Sequence, residues 1–207
     1  MDALLMAGGK GERMGGREKP LSLLKGKPLI DYIITALMDS PRIGHIYVSV
    51  TLRTPKTGRY IENRYRSEDR ISTIITPGAG YHEDTRHAAE KLMLFHPFLI
   101  ISSDIPLVTP ATIDNIIGKY EASGMEALSV RLYRSCVPPE IRIGTVLTDH
   151  GIESVPAAVN IIDGRYMDRY QQEHVYIVDD RLLAVNINYL QDLSACERLM
   201  SESSLSR

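Results

Sequence analysis

The chain opens with DALLMAGGKGERMGGREKPL at residues 2–21. The apolar run Asp2–Ala7 predicts a strand that is buried on both faces. Five glycines follow within Gly8–Gly16, here called the glycine-rich loop, and glycines let backbone N–H groups approach an anion without obstruction by a Cβ atom. Four cations stand in or beside this loop, namely Lys10, Arg13, Arg17 and Lys19. Glycines combined with cations predict a polyphosphate-binding loop.

Two common phosphate-binding patterns do not match the glycine-rich loop. The Walker pattern requires Gly-Lys followed by Ser or Thr, which this loop lacks. The dinucleotide fingerprint GxGxxG fails as well, because Met14 stands where the third glycine should be. The alternative is a flexible turn with solvated charges.

Strand and helix patterns alternate along the rest of the chain. We expect helices over Pro28–Met38, 55–66, Glu83–Leu94, 110–124 and Leu190–Met200, and further strands at His45–Val50, Arg70–Thr76, Phe98–Ser102, Glu126–Leu132, Ala157–Ile162 and Leu182–Ile187. Tyr133–Val155 has little periodicity and is interpreted as a loop or hairpin insertion. This order predicts an α/β fold with a mostly parallel sheet and helices on both faces. Residues 1–200 are expected to form one domain, followed by a polar tail at 201–207.

Composition restricts the classes of function. The 207 residues are 43% hydrophobic and 24% charged, with a net charge of −2, which excludes disorder and a global basic field for nucleic acid. No run is apolar enough for a membrane helix, and residues 1–7 lack the basic start of a signal peptide. Cys136 and Cys196 have no metal-binding spacing and fit a reducing cytoplasm. A cytoplasmic enzyme is therefore expected.

Polar residues follow three of the predicted strands, at Gly8–Lys19, Pro77–Asp84 and Ser102–Pro106. Ligands of parallel sheets bind beyond the carboxyl ends of the strands, so these clusters are expected to converge. Asp104, at the end of a buried strand, is suited to hold Mg²⁺. The alternative is a turn-forming Asp that bonds its own backbone.

The segment Pro77–Asp84 begins a helix and suggests a site for the base of a nucleotide. The backbone around Gly80 and Tyr81 suits a flat base edge, and a carboxylate of Glu83 or Asp84 could accept hydrogen bonds from N1 and N2 of guanine. In the alternative interpretation, both acids only complement the N-terminus of the helix.

The pattern Ala-Gly-Gly-x-Gly-x-Arg-Met-Gly, followed by Glu-Lys-Pro-Leu, resembles the signature of nucleotidyltransferases with a Rossmann-like, glycosyltransferase-A-like fold. The resemblance implies that the loop wraps a nucleoside triphosphate through Met6, Ala7, Gly8, Gly9, Lys10 and Gly11. It also implies that Lys19 contacts phosphate and that Asp104 binds Mg²⁺. Asn186, in Val185-Asn186, matches a second metal ligand; alternatively, it is a polar residue at a strand end. Asn188 is a weaker candidate and is interpreted as a helix cap.

Further matches extend from Met1 to about Leu193, including Leu-Ile-Asp-Tyr, Thr-Pro-Lys-Thr and Gly-x-Gly-Tyr-x-Glu-Asp. They resemble the archaeal GTP:adenosylcobinamide-phosphate guanylyltransferases, within the superfamily that includes molybdenum-cofactor guanylyltransferases. One departure is Ala158, where the family pattern has glycine. The resemblance implies transfer of GMP from GTP to a phosphate-bearing corrinoid, with Arg13, Lys19 and Asp104 catalytic.

The implied acceptor, a phosphate monoester with a second pKa near ~6, is already dianionic at neutral pH, so no general base is expected. Two other acceptors stay open, molybdenum cofactor and a sugar phosphate. A GTP-binding sensor without turnover is the alternative from another class. The apolar stripe of Leu190–Met200 is expected to offer an interface for a homodimer, and no nucleic-acid partner is expected.

Overall fold

The structure is a computed structural model that describes residues 1–9, 11 and 18–205, with side chains described as far as residue 202. The strands are β1 Asp2–Met6, β2 Leu23–Leu24, β3 Lys27–Pro28, β4 Ile46–Thr51, β5 Ile71–Thr76, β6 Pro97–Ser102, β7 Ala127–Tyr133, β8 Leu147–Asp149, β9 Ile152–Asp163 and β10 Glu173–Val178. The helices are α1 Leu29–Asp39, α2 Pro55–Arg64, α3 Tyr81–Lys91, α4 Pro110–Ser123 and α5 Leu190–Leu205.

The main sheet has the order β5-β4-β1-β6-β9-β7-β10, with β8 paired to β9. The pairs of β1 with β4 and β6, of β4 with β5 and of β7 with β10 are parallel, whereas β9 runs antiparallel to β6 and β7. The predicted mostly parallel α/β sheet is confirmed. From β1 the chain moves outward to β4 and β5, and then returns to the other side of β1 as β6. A crevice for ligands is expected where this order reverses, between β1 and β6.

Both faces of β1 are buried, as its continuous apolar sequence predicts. Leu5 belongs to the large core that also contains Ile33 of α1 and Ile113 of α4, and its relative exposure is 0%. Leu4 points to the opposite face and packs in a separate core with Ala88 of α3. Helices therefore cover both faces of the sheet, because successive strand side chains alternate between faces.

The predicted strand at Leu182–Ile187 is wrong. Residues 181–184 form a turn and residues 185–188 have no regular structure. Asp180 causes this local fold, because its carboxylate Oδ1 accepts hydrogen bonds from the N–H groups of Leu182 and Leu183, each at 3.0 Å. The strand next to β7 is instead β10, which the sequence analysis did not identify.

The predicted hairpin insertion is present, and β8 pairs with the start of β9. The strand expected from Ala157 begins earlier, at Ile152, because this pairing extends β9. Ala158 has a φ of +57°, and the register of β7 with β9 shifts beside it. A left-handed residue in a shifted strand is where glycine is favoured, which gives a physical reason for the glycine in the family pattern.

The closing helix extends beyond its predicted end. Helix α5 continues to Leu205, so residues 201–205 of the predicted polar tail are helical. The helix has an acidic residue in its first turn, Asp192, whose charge complements the helix N-terminus. None of the described helices combines the length and apolar character that crossing a bilayer requires.

Candidate active site

A cavity of about 500 Å³ lies beyond the carboxyl ends of β1, β4, β5 and β6. The three polar clusters expected to converge all contribute to it, at the place where the strand order reverses. The residues around it are Met6, Gly8, Gly9, Lys19, Ser49, Arg53, Gly78, Ala79, Gly80, Tyr81, Asp84, Ser102, Ser103 and Asp104. Ser49 and Arg53 were not singled out from the sequence, because nothing local marks them as site residues.

The start of the glycine-rich loop packs directly against Thr51. A Cβ atom on Gly8 would lie 2.5 Å from Thr51 Cγ2, while the Thr51 hydroxyl donates to the Gly8 carbonyl at 3.2 Å. Only glycine fits there without displacement. Ala7 lies in the core rather than in the cavity wall, and Gly11 is not among the residues that line the cavity. The predicted contacts of Lys10 and Arg13 lie outside the described residues.

Glu18 fixes the end of the loop to the N-terminus of α2. Its Oε1 accepts from the Lys56 N–H at 2.9 Å, and its Oε2 accepts from the N–H and hydroxyl of Thr57 at 2.6 and 2.7 Å. A carboxylate at this end satisfies otherwise unpaired N–H groups and complements the helix dipole. Local sequence patterns do not reveal this role, because Glu18 is far from α2 in the chain.

Lys19 joins two parts of the chain that the sequence analysis treated separately. Its ammonium donates to Asp104 Oδ2 at 2.8 Å and to Asn188 Oδ1 at 3.0 Å. Asn188 in turn donates through Nδ2 to Asn186 Oδ1 at 2.9 Å. The predicted catalytic pair, Lys19 and Asp104, is thus brought into contact, and Asn186 is connected to it through Asn188.

Asn188 has a larger part in the site than the sequence indicated. Its side chain bonds Lys19 and Asn186, whereas the cap of α5 comes from Asp192, whose Oδ2 accepts from the N–H groups of Asn188 and Tyr189, both at 2.7 Å. Asp192 is 1% exposed. The segment that carries both asparagines is therefore held by a buried carboxylate.

The other oxygen of Asp104 is suited to a cation. Asp104 Oδ1 is buried and has no hydrogen-bond partner among the described residues. The described residues contain no cluster of three His, Cys, Asp or Glu side chains suited to a metal. A hard cation such as Mg²⁺ typically takes one or two protein oxygens and completes its shell with water and phosphate. One free carboxylate oxygen beside the glycine-rich loop fits that chemistry.

At the start of α3, one of the two acids holds the turn that precedes the helix, and the other lies on the exposed surface. Asp84 Oδ1 accepts from the N–H groups of Gly78 and Ala79, at 2.8 and 3.2 Å, and holds the turn that leads to Gly80. Glu83 is exposed and pairs with Arg86 at 2.7 Å; this hydrogen bond lowers the pKa of the Glu83 carboxyl. The Glu83 side chain therefore lies on the outer surface of α3 in this conformation, and its contact with a base stays a prediction.

Tyr81 lines the cavity, and its hydroxyl has a low acidity. Burial of the hydroxyl, with a smaller effect of the Asp104 carboxylate, raises the pKa of Tyr81 to about 12, although a hydrogen bond with Asn160 opposes both effects. The hydroxyl therefore stays protonated at neutral pH.

Comparison with known proteins gives a consistent picture. Residues 3–141 match the family described as the MobA-like NTP transferase domain. Over 205 residues the chain is 35% identical to the adenosylcobinamide-phosphate guanylyltransferase of Methanocaldococcus jannaschii, a match that covers 99% of this chain and 100% of that protein. Over 95 residues it is 32% identical to a molybdenum cofactor guanylyltransferase of Yersinia pestis, covering 45% of this chain and 46% of that protein.

A solved structure with the same fold is the molybdopterin-guanine dinucleotide biosynthesis protein A of Archaeoglobus fulgidus. It aligns with a TM-score of 0.67 at 19% identity and covers 98% of this chain and 100% of that chain. This likeness shows the fold, a Rossmann-like nucleotidyltransferase fold as the sequence predicted.

Proposed function

We propose that this chain transfers GMP from GTP to adenosylcobinamide phosphate. The premise is that it belongs to the MobA-like NTP transferase domain family and to the family of the adenosylcobinamide-phosphate guanylyltransferase that it matches from end to end. An oxygen of the acceptor phosphate attacks the α-phosphorus, the bond from that phosphorus to the bridging oxygen breaks, and pyrophosphate leaves. The products are adenosylcobinamide-GDP and pyrophosphate.

The observation that carries this proposal is the contact of Lys19 with Asp104 at the strand-order reversal. This contact places a cation and a partly unpartnered carboxylate beside the glycine-rich loop, where a triphosphate requires charge neutralisation. Met6, Gly8 and Gly9 are proposed to contact the nucleotide, with Ala7, Lys10 and Gly11 completing the loop. Arg13 and Lys19 are proposed to neutralise the phosphates.

Asp104 and Asn186 are proposed to hold Mg²⁺. When bound, such an ion neutralises the phosphate oxygens and orients the triphosphate. Asp104 would contribute Oδ1, which has no other partner among the described residues, and Asn186 would contribute its side-chain oxygen. Lys19 then becomes free to donate to phosphate instead of to Asp104. No residue needs to remove a proton, because the acceptor is already dianionic at neutral pH.

The turn at Gly78–Gly80 and Tyr81 is proposed to contact guanine. Its backbone is held by Asp84, so the turn is preorganised at the N-terminus of α3. Preorganised polar groups discriminate bases better than mobile ones, because less ordering is needed on binding. Asp84→Asn is expected to weaken GTP binding about tenfold, whereas Glu90→Gln on the exposed side of the same helix should leave it unchanged.

The assay for the whole proposal measures pyrophosphate release from each nucleoside triphosphate with each of three acceptors: adenosylcobinamide phosphate, molybdenum cofactor and a sugar phosphate. Release is expected with GTP and the corrinoid only. Asp104→Asn should reduce the rate at least 100-fold, as loss of one electrostatic contact at a reacting group commonly does. Asp39→Asn, an exposed residue at the end of α1, is the control. Turnover of a different acceptor, or binding of GTP without any release, would refute the proposal.

A cytoplasmic location and a homodimer complete the proposal. The apolar stripe expected on α5 is not the interface, because Ala195, Cys196 and Leu199 are buried in the core of the chain itself, in a cluster with Leu24 and Leu29. Sedimentation at micromolar concentration tests the dimer, and a purely monomeric species would contradict it.

A further inference from the structure

A second cavity, of about 230 Å³, adjoins the candidate active site. Asn186 and Asn188 line it, and so does Ile105, the residue that follows Asp104. Lys19 and Asp104 line the larger cavity, and Lys19 bonds Asn188 directly. The contacts of Lys19 with Asp104 and Asn188 thus connect the linings of the two cavities.

The lining of this second cavity is partly apolar and partly polar. Its apolar residues include Leu132 of β7, Val137 and Ile141 of the insertion, and Leu183 of the turn after β10. Its polar residues are Asn186, Asn188, Thr145 and Arg142, and Arg142 is the only charged side chain among the described residues around it. A small polar group on an apolar arm fits these walls.

Arg142, on the insertion, packs against the segment that carries Asn186 and Asn188. Its guanidinium carbon lies 4.8 Å from the centre of the Tyr189 ring, and Tyr189 directly follows Asn188. Within the described part of the chain, no ion pair is formed by Arg142, so its five N–H donors are available for an anion.

The charges of the reaction require such a cation. Under the proposed function, a dianionic phosphate must approach the α-phosphorus of a triphosphate that is itself strongly negative. Lys19 is engaged with Asp104 or with the triphosphate, so it does not neutralise the acceptor as well. Arginine binds phosphate oxygens through two parallel hydrogen bonds and thereby also orients the phosphate.

We propose that Arg142 binds the phosphate of the acceptor and orients it toward the nucleotide, with the second cavity holding the phosphate and the short arm that carries it. This inference rests on the proposed function. The volume of about 230 Å³ is below the ~300–1,000 Å³ of pockets that enclose drug-sized ligands, so the bulk of a corrinoid lies outside the cavity.

The experiment compares Arg142→Ala and Arg142→Lys with the native protein. Arg142→Ala is expected to raise the KM for adenosylcobinamide phosphate at least tenfold, with the Kd for GTP within twofold of the native value. Arg142→Lys should recover part of this loss, because it restores the charge but not the paired donors. The matched control is Arg134→Ala, since Arg134 lies on the same insertion, pairs with Glu153 and does not line the cavity.

A second measurement separates this proposal from the proposed function. Calorimetry with n-propyl phosphate, in the presence of Mg²⁺ and a nonhydrolysable GTP analogue, reports phosphate binding whatever the acceptor is. Binding to the native protein and its loss in Arg142→Ala support the proposal, even if the corrinoid is not a substrate. Equal binding by both proteins, or an unchanged KM in Arg142→Ala, would overturn the role of Arg142 and leave guanylyl transfer intact.

Discussion

Lys19 bonds two oxygens, Asp104 Oδ2 and Asn188 Oδ1, at distances of 2.8 and 3.0 Å. Its side chain and that of Asp104 are only 17% and 13% exposed, so water screens their attraction weakly. The ammonium thus supplies at Asp104 the positive charge that a metal ion would supply in the proposed complex. Under the proposed function, binding of Mg²⁺ with GTP would exchange one cation for another at this carboxylate.

This exchange predicts an unusual effect of Lys19→Met. Removal of the ammonium is expected to tighten binding of Mn²⁺, a probe for Mg²⁺, to the nucleotide-free protein at least fivefold, because the Asp104 carboxylate loses its competing cation. Guanylyl transfer should nevertheless fall steeply. Electron paramagnetic resonance of free Mn²⁺ measures the affinity. Asp104→Asn in the same background should abolish the gain, and unchanged or weaker Mn²⁺ binding in Lys19→Met would contradict the exchange.

The contact of Gly8 with Thr51 gives a second prediction for single residues. Gly8→Ala is expected to destabilise the protein by about 1–3 kcal/mol and to weaken GTP binding, because the new methyl group would lie 2.5 Å from Thr51 Cγ2. Adding Thr51→Ser should restore much of the stability and of the GTP affinity, since serine keeps the hydroxyl and removes Cγ2. Urea unfolding and GTP titration measure the two effects. Gly9→Ala is the control for stability, because a methyl group added at Gly9 would meet no described atom within 4 Å. An equal loss of stability there would argue against the steric explanation.

Among the elements, α1 and α2 are joined by a buried carboxylate. Asp31, in the first turn of α1, is 4% exposed and accepts hydrogen bonds from the hydroxyls of Tyr60 and Tyr65 at 2.6 and 2.9 Å. Burial, together with the Asp31 carboxylate, raises the pKa of Tyr60 to about 12 and raises the pKa of Tyr65 as well. This contact holds α2, whose N-terminus in turn binds Glu18, next to Lys19.

The contact predicts a loss of stability in alkali. Both tyrosine pKa values are higher in the folded than in the unfolded protein, so their contribution is complete below about pH 10 and is lost as the pH rises toward about 12. The free energy of unfolding should therefore fall over this interval. Tyr65→Phe should cost about 1–3 kcal/mol at neutral pH and flatten the alkaline decline. Urea unfolding at a series of pH values measures the loss at neutral pH and the alkaline decline. The control is Tyr170→Phe, because Tyr170 is exposed. An unchanged alkaline slope in Tyr65→Phe would be inconsistent with this account.

In the whole molecule, the site is assembled from parts that lie far apart in sequence. β1 supplies the glycine-rich loop, β6 leads to Asp104, and the segment before α5 supplies Asn186 and Asn188. Asp104 also accepts a hydrogen bond through its backbone carbonyl from the Ile187 N–H at 2.8 Å, which joins this segment to the end of β6. A ligand that binds at this junction contacts several elements at once and is expected to stabilise the entire fold.

The corresponding prediction is a shift in thermal unfolding. GTP with Mg²⁺ at about 100 times its Kd should add about 2.7 kcal/mol to the free energy of unfolding, which for a chain of this size raises Tm by roughly 5–10 °C. Removing the metal with EDTA should abolish most of the shift, and so should Asp104→Asn. Differential scanning calorimetry measures the shift in Tm, and ATP in place of GTP is the control. An equal shift with ATP would oppose selection of guanine, and an undiminished shift in EDTA would oppose metal-linked binding.

The amino-acid sequence alone determined those features that depend on neighbours along the chain. The apolar run of β1, the glycines after it and Asp104 at the end of β6 are local patterns, and the strands that they predict are present.

The interactions that complete the site depend on distant partners instead. Tertiary structure decided that Glu18 caps α2, that Asn188 rather than the solvent faces Lys19, and that Glu83 lies outside the cavity. It also decided that Leu182–Ile187 is not a strand, because Asp180 turns the chain there and β10 already occupies the place beside β7. Apolar sequence specifies burial, but which partner buries a residue is set only when the whole sheet has formed.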